Sequence, residues 1–192
     1  SSKYQWQLHL DADEVLDAEW YKVSSVHPRV VAIGECGLDY YWPAHDNWKP
    51  GEAVEKKRQQ ELFELHIALA QTVDKPLMIH GRPTKGSADA YLDIIALLRQ
   101  HPDVKGNIHF FVGDTAIAKQ FLDLGFTMSF TGVLTFSHDY DEVVRYLPLD
   151  MMHAETDAPY VAPASHRGKR NEPAYVVESI RAIAALKKTS TE

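Results

Sequence analysis

The stretch Met152-His153-Ala154-Glu155-Thr156-Asp157-Ala158-Pro159-Tyr160 decides how the rest of the chain is read. A short apolar run, 147–152, leads into it and predicts a buried strand. Alternation places Glu155 and Asp157 on one side of an extended chain, and Pro159 ends the strand and opens a loop. A carboxylate at the C-terminal end of a buried strand is costly unless something compensates it. A metal ion or a catalytic proton would do so. In a plainer reading, Asp157 caps the next helix.

The other strand ends bear on that choice. Val30-Val31-Ala32-Ile33 is a continuous apolar run, as in a strand covered on both faces, and it runs into Gly34-Glu35-Cys36-Gly37. Leu77-Met78-Ile79 ends at His80, and Asn107-Ile108 leads to His109. The run 126–130 ends at Thr131-Gly132. Helical patterns separate these runs. Residues 11–25 carry Val15, Leu16, Trp20 and Val23 near helical spacing. Residues 52–73 place Leu62, Leu65, Leu69 and Val73 on one face. Further helices are expected over 87–100, over 115–124 with Gly125 as the stop, over 140–146, and over 173–187 with proline at the start.

Five strands alternating with helices define an α/β chain with a parallel sheet and right-handed crossovers. In such sheets the site lies at the C-terminal strand ends. Here those ends carry Glu35, His80, His109 and Asp157. A single histidine there is usually satisfied by a backbone carbonyl, but four potential ligands on one edge point to metal chemistry. Histidine and carboxylate ligands suit Zn, Mn or Mg.

A chain of 192 residues is expected to form one domain with a real core. Its net charge of -7 argues against broad, non-specific nucleic-acid binding. It leaves room for a local basic patch, and His166-Arg167-Gly168-Lys169-Arg170 is one. That run is either a solvated loop or a phosphate-positioning element beside a metal site. The single cysteine, Cys36, excludes an internal disulfide and fits a reducing, cytoplasmic setting. No apolar run is long enough to span a membrane, and the N-terminus has no signal-peptide pattern. It also lacks an initiator methionine, so a fragment or a processed end is expected.

Five segments together resemble the TatD-type metal-dependent deoxyribonucleases. They are residues 32–40, Pro76-Leu77-Met78-Ile79-His80 with Arg82, His109-x-Phe111-x-Gly113, residues 155–160, and Arg170-Asn171-Glu172-Pro173. They occur in that family's order over about residues 26–187. The resemblance implies a (β/α)8 barrel of the amidohydrolase-like kind and a single TatD-like hydrolase domain over 1–192. It implies one or two divalent metal ions, Zn, Mg or Mn, and hydrolysis of phosphodiester bonds in DNA by a metal-activated water. On that resemblance Glu35 bridges two metals, His80 and His109 hold one of them, and Asp157 binds the other and orients the water. Glu35 and Asp157 are then the catalytic carboxylates, and Arg82 and Arg170 are substrate groups.

The chain also departs from that pattern. The family's opening His-x-His strand and two further strand–helix units are not found. His9-Leu10-Asp11-Ala12 reads as the remnant of a segment that precedes the glutamate-bearing strand. Arg82-Pro83-Thr84 stands where Arg-Asp-Ala is usual, and the bulky Phe110 follows His109. Five strands make an incomplete, N-terminally shortened barrel. Self-association through the open sheet, or completion within a longer protein, is expected. Ile33, Met78, Ile108, Phe130 and Met152 are the candidates for its buried surfaces. His45 is a candidate substrate contact, whereas His27, His66, His101, His138 and His153 are read as structural. Two other functions fit the same residues: an amidohydrolase acting on an ester or amide, and a non-catalytic relative that binds a metal or a partner.

Overall fold

The computed structural model describes residues 17–41 and 52–191. His9, His45 and the expected helical residues 11–16 lie outside the described residues. Strand order follows chain order, β1-β2-β3-β4-β5. By internal packing the chain divides into two compact units, 1–107 and 108–192, and the boundary falls within β3 (Gly106–His109).

The first unit contains α1 (Ala18–Ser25), β1 (Ile33–Asp39), α2 (Glu52–Val73), β2 (Leu77–Arg82) and α3 (Asp89–Leu98). β1 and β2 are parallel, with Gly37 opposite His80 and Asp39 opposite Arg82. Gly37 has φ 137, and a Cβ there would lie 2.0 Å from the His80 carbonyl oxygen, so only glycine fits. Strand β1 therefore starts at Ile33 and continues through the polar Glu35 to Asp39, beyond the apolar run that announced it. Within that run Val31 is exposed.

The long helix α2 has the expected bounds but a different inner face. Glu55, Gln59, Phe63, Ile67 and Ala70 are buried, while Leu65 is exposed. Glu55 and Gln59 are tolerated inside because they are hydrogen-bonded. Arg58 forks the Glu55 carboxylate at 2.7 and 2.8 Å, and Gln59 Oε1 accepts the Asp39 backbone N–H at 2.9 Å. On β2 the alternation buries Leu77 and Ile79 and leaves Met78 exposed, so Met78 is not a core residue. Trp20 and Val23 of α1 are likewise exposed.

The second unit holds the end of β3, α4 (Thr115–Asp123), β4 (Thr127–Phe130), α5 (Asp141–Tyr146), β5 (Met152–Ala154) and α6 (Val176–Lys187). β4 and β5 are parallel, pairing Met128 with Met152 and Phe130 with Ala154. The fifth strand begins at Met152, where the expected run ended, because Leu149–Met151 form a 3-10 turn. The core is aromatic. Phe111 meets Phe121 and Phe130 edge to face, both at 6.3 Å between centroids, an arrangement favoured by the ring quadrupoles. Ile108, Phe130 and Met152 are buried here, as Ile33 is in the first unit. Among the described residues no helix is long and apolar enough to cross a membrane.

Candidate metal centre

In the first unit, Glu35 and His80 are inner residues of β1 and β2 rather than their last ones. Glu35 Oε1 lies 2.9 Å from His80 Nδ1. The other ring nitrogen, Nε2, is buried without a hydrogen-bond partner, with Asp39 Oδ2 3.4 Å away. Burial works against a charged imidazole, but the carboxylates of Asp39 and Glu35 outweigh it and raise His80 to about 9. This pocket therefore favours positive charge on the ring. Arg82 stands at the rim, with its guanidinium 4.1 Å over the Tyr41 ring and 3.9 Å from Asp39.

The second unit repeats the pattern. His109 is the last residue of β3, and its Nδ1 lies 2.7 Å from Glu155 Oε2. Its Nε2 faces Asp157 Oδ1 at 3.6 Å. Glu155 also accepts the Phe110 backbone N–H at 2.8 Å and the hydroxyl of buried Ser129. Burial opposes its charge, yet His109, Ser129 and the Phe110 N–H hold Glu155 below the usual carboxylate range. The two carboxylates reach one imidazole, though not by simple alternation. Asp157 has φ 53 and Phe110 φ 46, left-handed conformations that non-glycine residues adopt sparingly. The chain turns at Asp157.

A histidine that binds metal commonly donates its second ring N–H to a carboxylate, which fixes the tautomer and raises the basicity of the ligating nitrogen. His80 and His109 are both held in that manner, by Glu35 and Glu155. The orphaned Nε2 of His80, with Asp39 beside it, fits a divalent cation, and the nitrogen–oxygen donor set fits Zn, Mn or Mg. Among the described residues no three histidine, cysteine or acidic side chains are grouped so as to hold a metal ion.

Two participants were not singled out from sequence: Asp39 beside His80, and Ser129 beneath Glu155. Asp39 belongs to a quoted motif; Ser129 carried no signal. Arg170 lies exposed in the loop after Asp157. The histidines read as structural have local partners where the contacts are resolved. His66 Nδ1 meets the Leu62 carbonyl at 2.8 Å, and His153 Nε2 meets Thr127 Oγ1 at 3.1 Å.

This layout places histidines and acids on the strands and turns of a parallel α/β sheet. The TatD-related DNase family model matches residues 6–192, and the chain belongs to that family. It is 38% identical over 187 residues to the uncharacterized metal-dependent hydrolase YcfH of Escherichia coli K12, covering 95% of this chain and 65% of YcfH. It is 38% identical to the uncharacterized metal-dependent hydrolase YabD of Bacillus subtilis, covering 92% and 65%. In structure it is similar to the Escherichia coli K12 TatD homologue YJJV, with a TM-score of 0.74 and 25% identity over 91% of this chain and 63% of that one. The chain thus spans less than two thirds of the length of these relatives.

Proposed function

We propose that this chain is a TatD-like hydrolase domain that cleaves phosphodiester bonds in DNA by a metal-activated water. The observation that carries the reading is the repeated unit of histidine and two carboxylates, Glu35–His80–Asp39 and Glu155–His109–Asp157. The family's description as DNases supplies the substrate class. In this proposal Glu35, His80, His109 and Asp157 are the metal ligands. A bound divalent ion would lower the pKa of a water and polarise a phosphoryl oxygen.

The chain's own residues do the rest. Glu155, at Nδ1, keeps the His109 ring oriented with Nε2 toward Asp157, and Glu35, at Nδ1, keeps the His80 ring oriented with Nε2 toward Asp39. Asp157 accepts the proton of the attacking water at a carboxylate oxygen. Arg82 and Arg170 bind the substrate's phosphates.

The deciding experiment measures metal content and cleavage of single-stranded DNA with Mg or Mn. Wild type should carry metal and cleave. His80→Ala with His109→Ala should carry none, and Asp157→Asn should not cleave. A wild type without metal, and without a gain in thermal stability on adding Zn or Mn, would sink the proposal. The proposal includes a cytoplasmic setting, in which the buried Cys36 thiol stays reduced. It also includes self-association, for which exposed Val31 and Met78 offer apolar surface and which light scattering would detect.

A further inference from the structure

The loop after Asp157 is closed and built, although it is exposed. Buried Asn171 staples its far end to its root: Nδ2 donates to the Thr156 carbonyl at 2.7 Å and the Tyr160 carbonyl at 2.6 Å. Midway, the Ala164 N–H donates to Thr135 Oγ1 at 2.7 Å, and that hydroxyl donates to the Gly132 carbonyl at 2.6 Å. His166 stacks on Tyr175 at 3.7 Å with the rings 3° from parallel. Residues 158–171 contain Arg167, Lys169 and Arg170 and no acid, in a chain of net charge -7.

Within this loop Arg167 is fixed in place. Its guanidinium lies 4.1 Å over the ring of exposed Phe136, and Nη1 donates to the Ala162 carbonyl at 3.3 Å. A guanidinium seated over an aromatic face still has donors to offer, and the guanidinium fork matches phosphate geometry. Among the described residues Arg167 has no carboxylate partner. An arginine usually gives up considerable side-chain entropy to hold a phosphate; here the stack and the carbonyl have already fixed it.

We propose that Arg167, braced by Phe136, binds a phosphate of the nucleic-acid substrate. This rests on the phosphodiester reading above. Lys169 contributes diffuse attraction and Arg170 the contact already assigned to it, whereas Arg167 sets the position of one further phosphate.

The test is the binding of a fluorescent single-stranded oligonucleotide of about ten thymidines to the 192-residue chain, by anisotropy over a range of salt, in calcium. Arg167→Ala should weaken binding about tenfold at low salt and reduce the slope of log affinity against log salt by about one phosphate's worth. Arg167→Lys should restore the slope but only part of the affinity, because it keeps the charge and loses the fork. Phe136→Leu, a mild change at an exposed site, should weaken binding with the slope retained. Arg181→Ala, which removes a cation paired with Glu178 on α6, should bind as wild type does. Wild-type affinity and slope in Arg167→Ala, or no salt-dependent binding by wild type, would overturn the proposal. Cleavage is scored separately: salt-dependent binding through Arg167 without turnover in Mn would count against the hydrolase reading and leave this contact standing.

Discussion

Glu155 and His109 form a 2.7 Å contact, Oε2 to Nδ1, and the same carboxylate gathers the Phe110 N–H and the Ser129 hydroxyl. One side chain thus sets the position of the histidine and pins the left-handed turn at Phe110. Glu155→Gln removes the charge and turns a donor toward donors. The expected loss is about 2–3 kcal/mol of stability, the cost of leaving buried polar groups badly paired. Metal affinity should fall about 10–100-fold, as when an orienting partner of a ligand is lost. Denaturant midpoints and metal titration check both, and a variant matching wild type on each would remove Glu155 from its assigned role.

Asn171 serves the loop as Glu155 serves the histidine. Its amide reaches carbonyls on both sides of the Asp157 turn, and its Oδ1 accepts the Glu172 N–H at 2.9 Å. Asn171→Ala strands these buried groups and should cost about 2–4 kcal/mol. Asn171→Asp should be worse, because it sets a carboxylate against carbonyl oxygens. Limited proteolysis supplies a local readout: cleavage within 158–170 should accelerate in both variants before the global melt. Unchanged protection of that loop would argue that other contacts close it.

Gly37 makes a sharper case. At its φ of 137 a Cβ would meet the His80 carbonyl oxygen at 2.0 Å, so Gly37→Ala must push β1 from β2 or twist both. His80 sits at the point of collision. The expected outcome is several kcal/mol of destabilisation, seen as insoluble protein or a much lowered melting temperature. Gly86→Ala is the comparison: its φ of 77 is also unfavourable, but no atom lies within 4 Å, so only the strain of about 1 kcal/mol should appear. Equal melting of the two variants would refute the steric argument.

Much of this fold could be read from apolar runs alternating with helical periods, and the bounds of α2 are those its pattern predicts. What escaped was set by backbone approach and by hydrogen bonding, which hydrophobicity does not register. β1 extends through Gly34-Glu35-Cys36-Gly37 because Gly37 lets β2 come close, while the more apolar Val31 stays outside. The inner face of α2 begins with Glu55 and Gln59, so its leucines suggested the wrong stripe. Residue types and strand positions drew attention to His80, His109, Glu35 and Asp157 as candidates. The pairing of Glu155 with His109 was not, since it depends on how the end of β3 lies against β4 and β5 within the second unit.

The junction of α2, β2 and α3 yields a prediction about acid. Asp89, the first residue of α3, accepts from the Thr84 N–H at 2.9 Å, the Thr84 hydroxyl at 2.7 Å and Lys56 Nζ at 3.0 Å. Burial works against its charge, but these donors prevail and lower it from 3.8 to about 2. The folded chain therefore binds this proton less readily than the unfolded chain does. The stabilisation is fully present above pH 3.8 and is lost as the pH falls through about 2. A shift of that size corresponds to about 2 kcal/mol, with Asp89 less than a third exposed. Asp89→Asn removes the titration while keeping the shape. Its stability deficit relative to wild type should be constant from neutral pH down to about pH 4 and should shrink toward pH 2. Paired denaturant melts across that range measure the difference. A deficit that did not shrink would show that Asp89 holds α3 by shape alone, and that its charge contributes nothing to the junction.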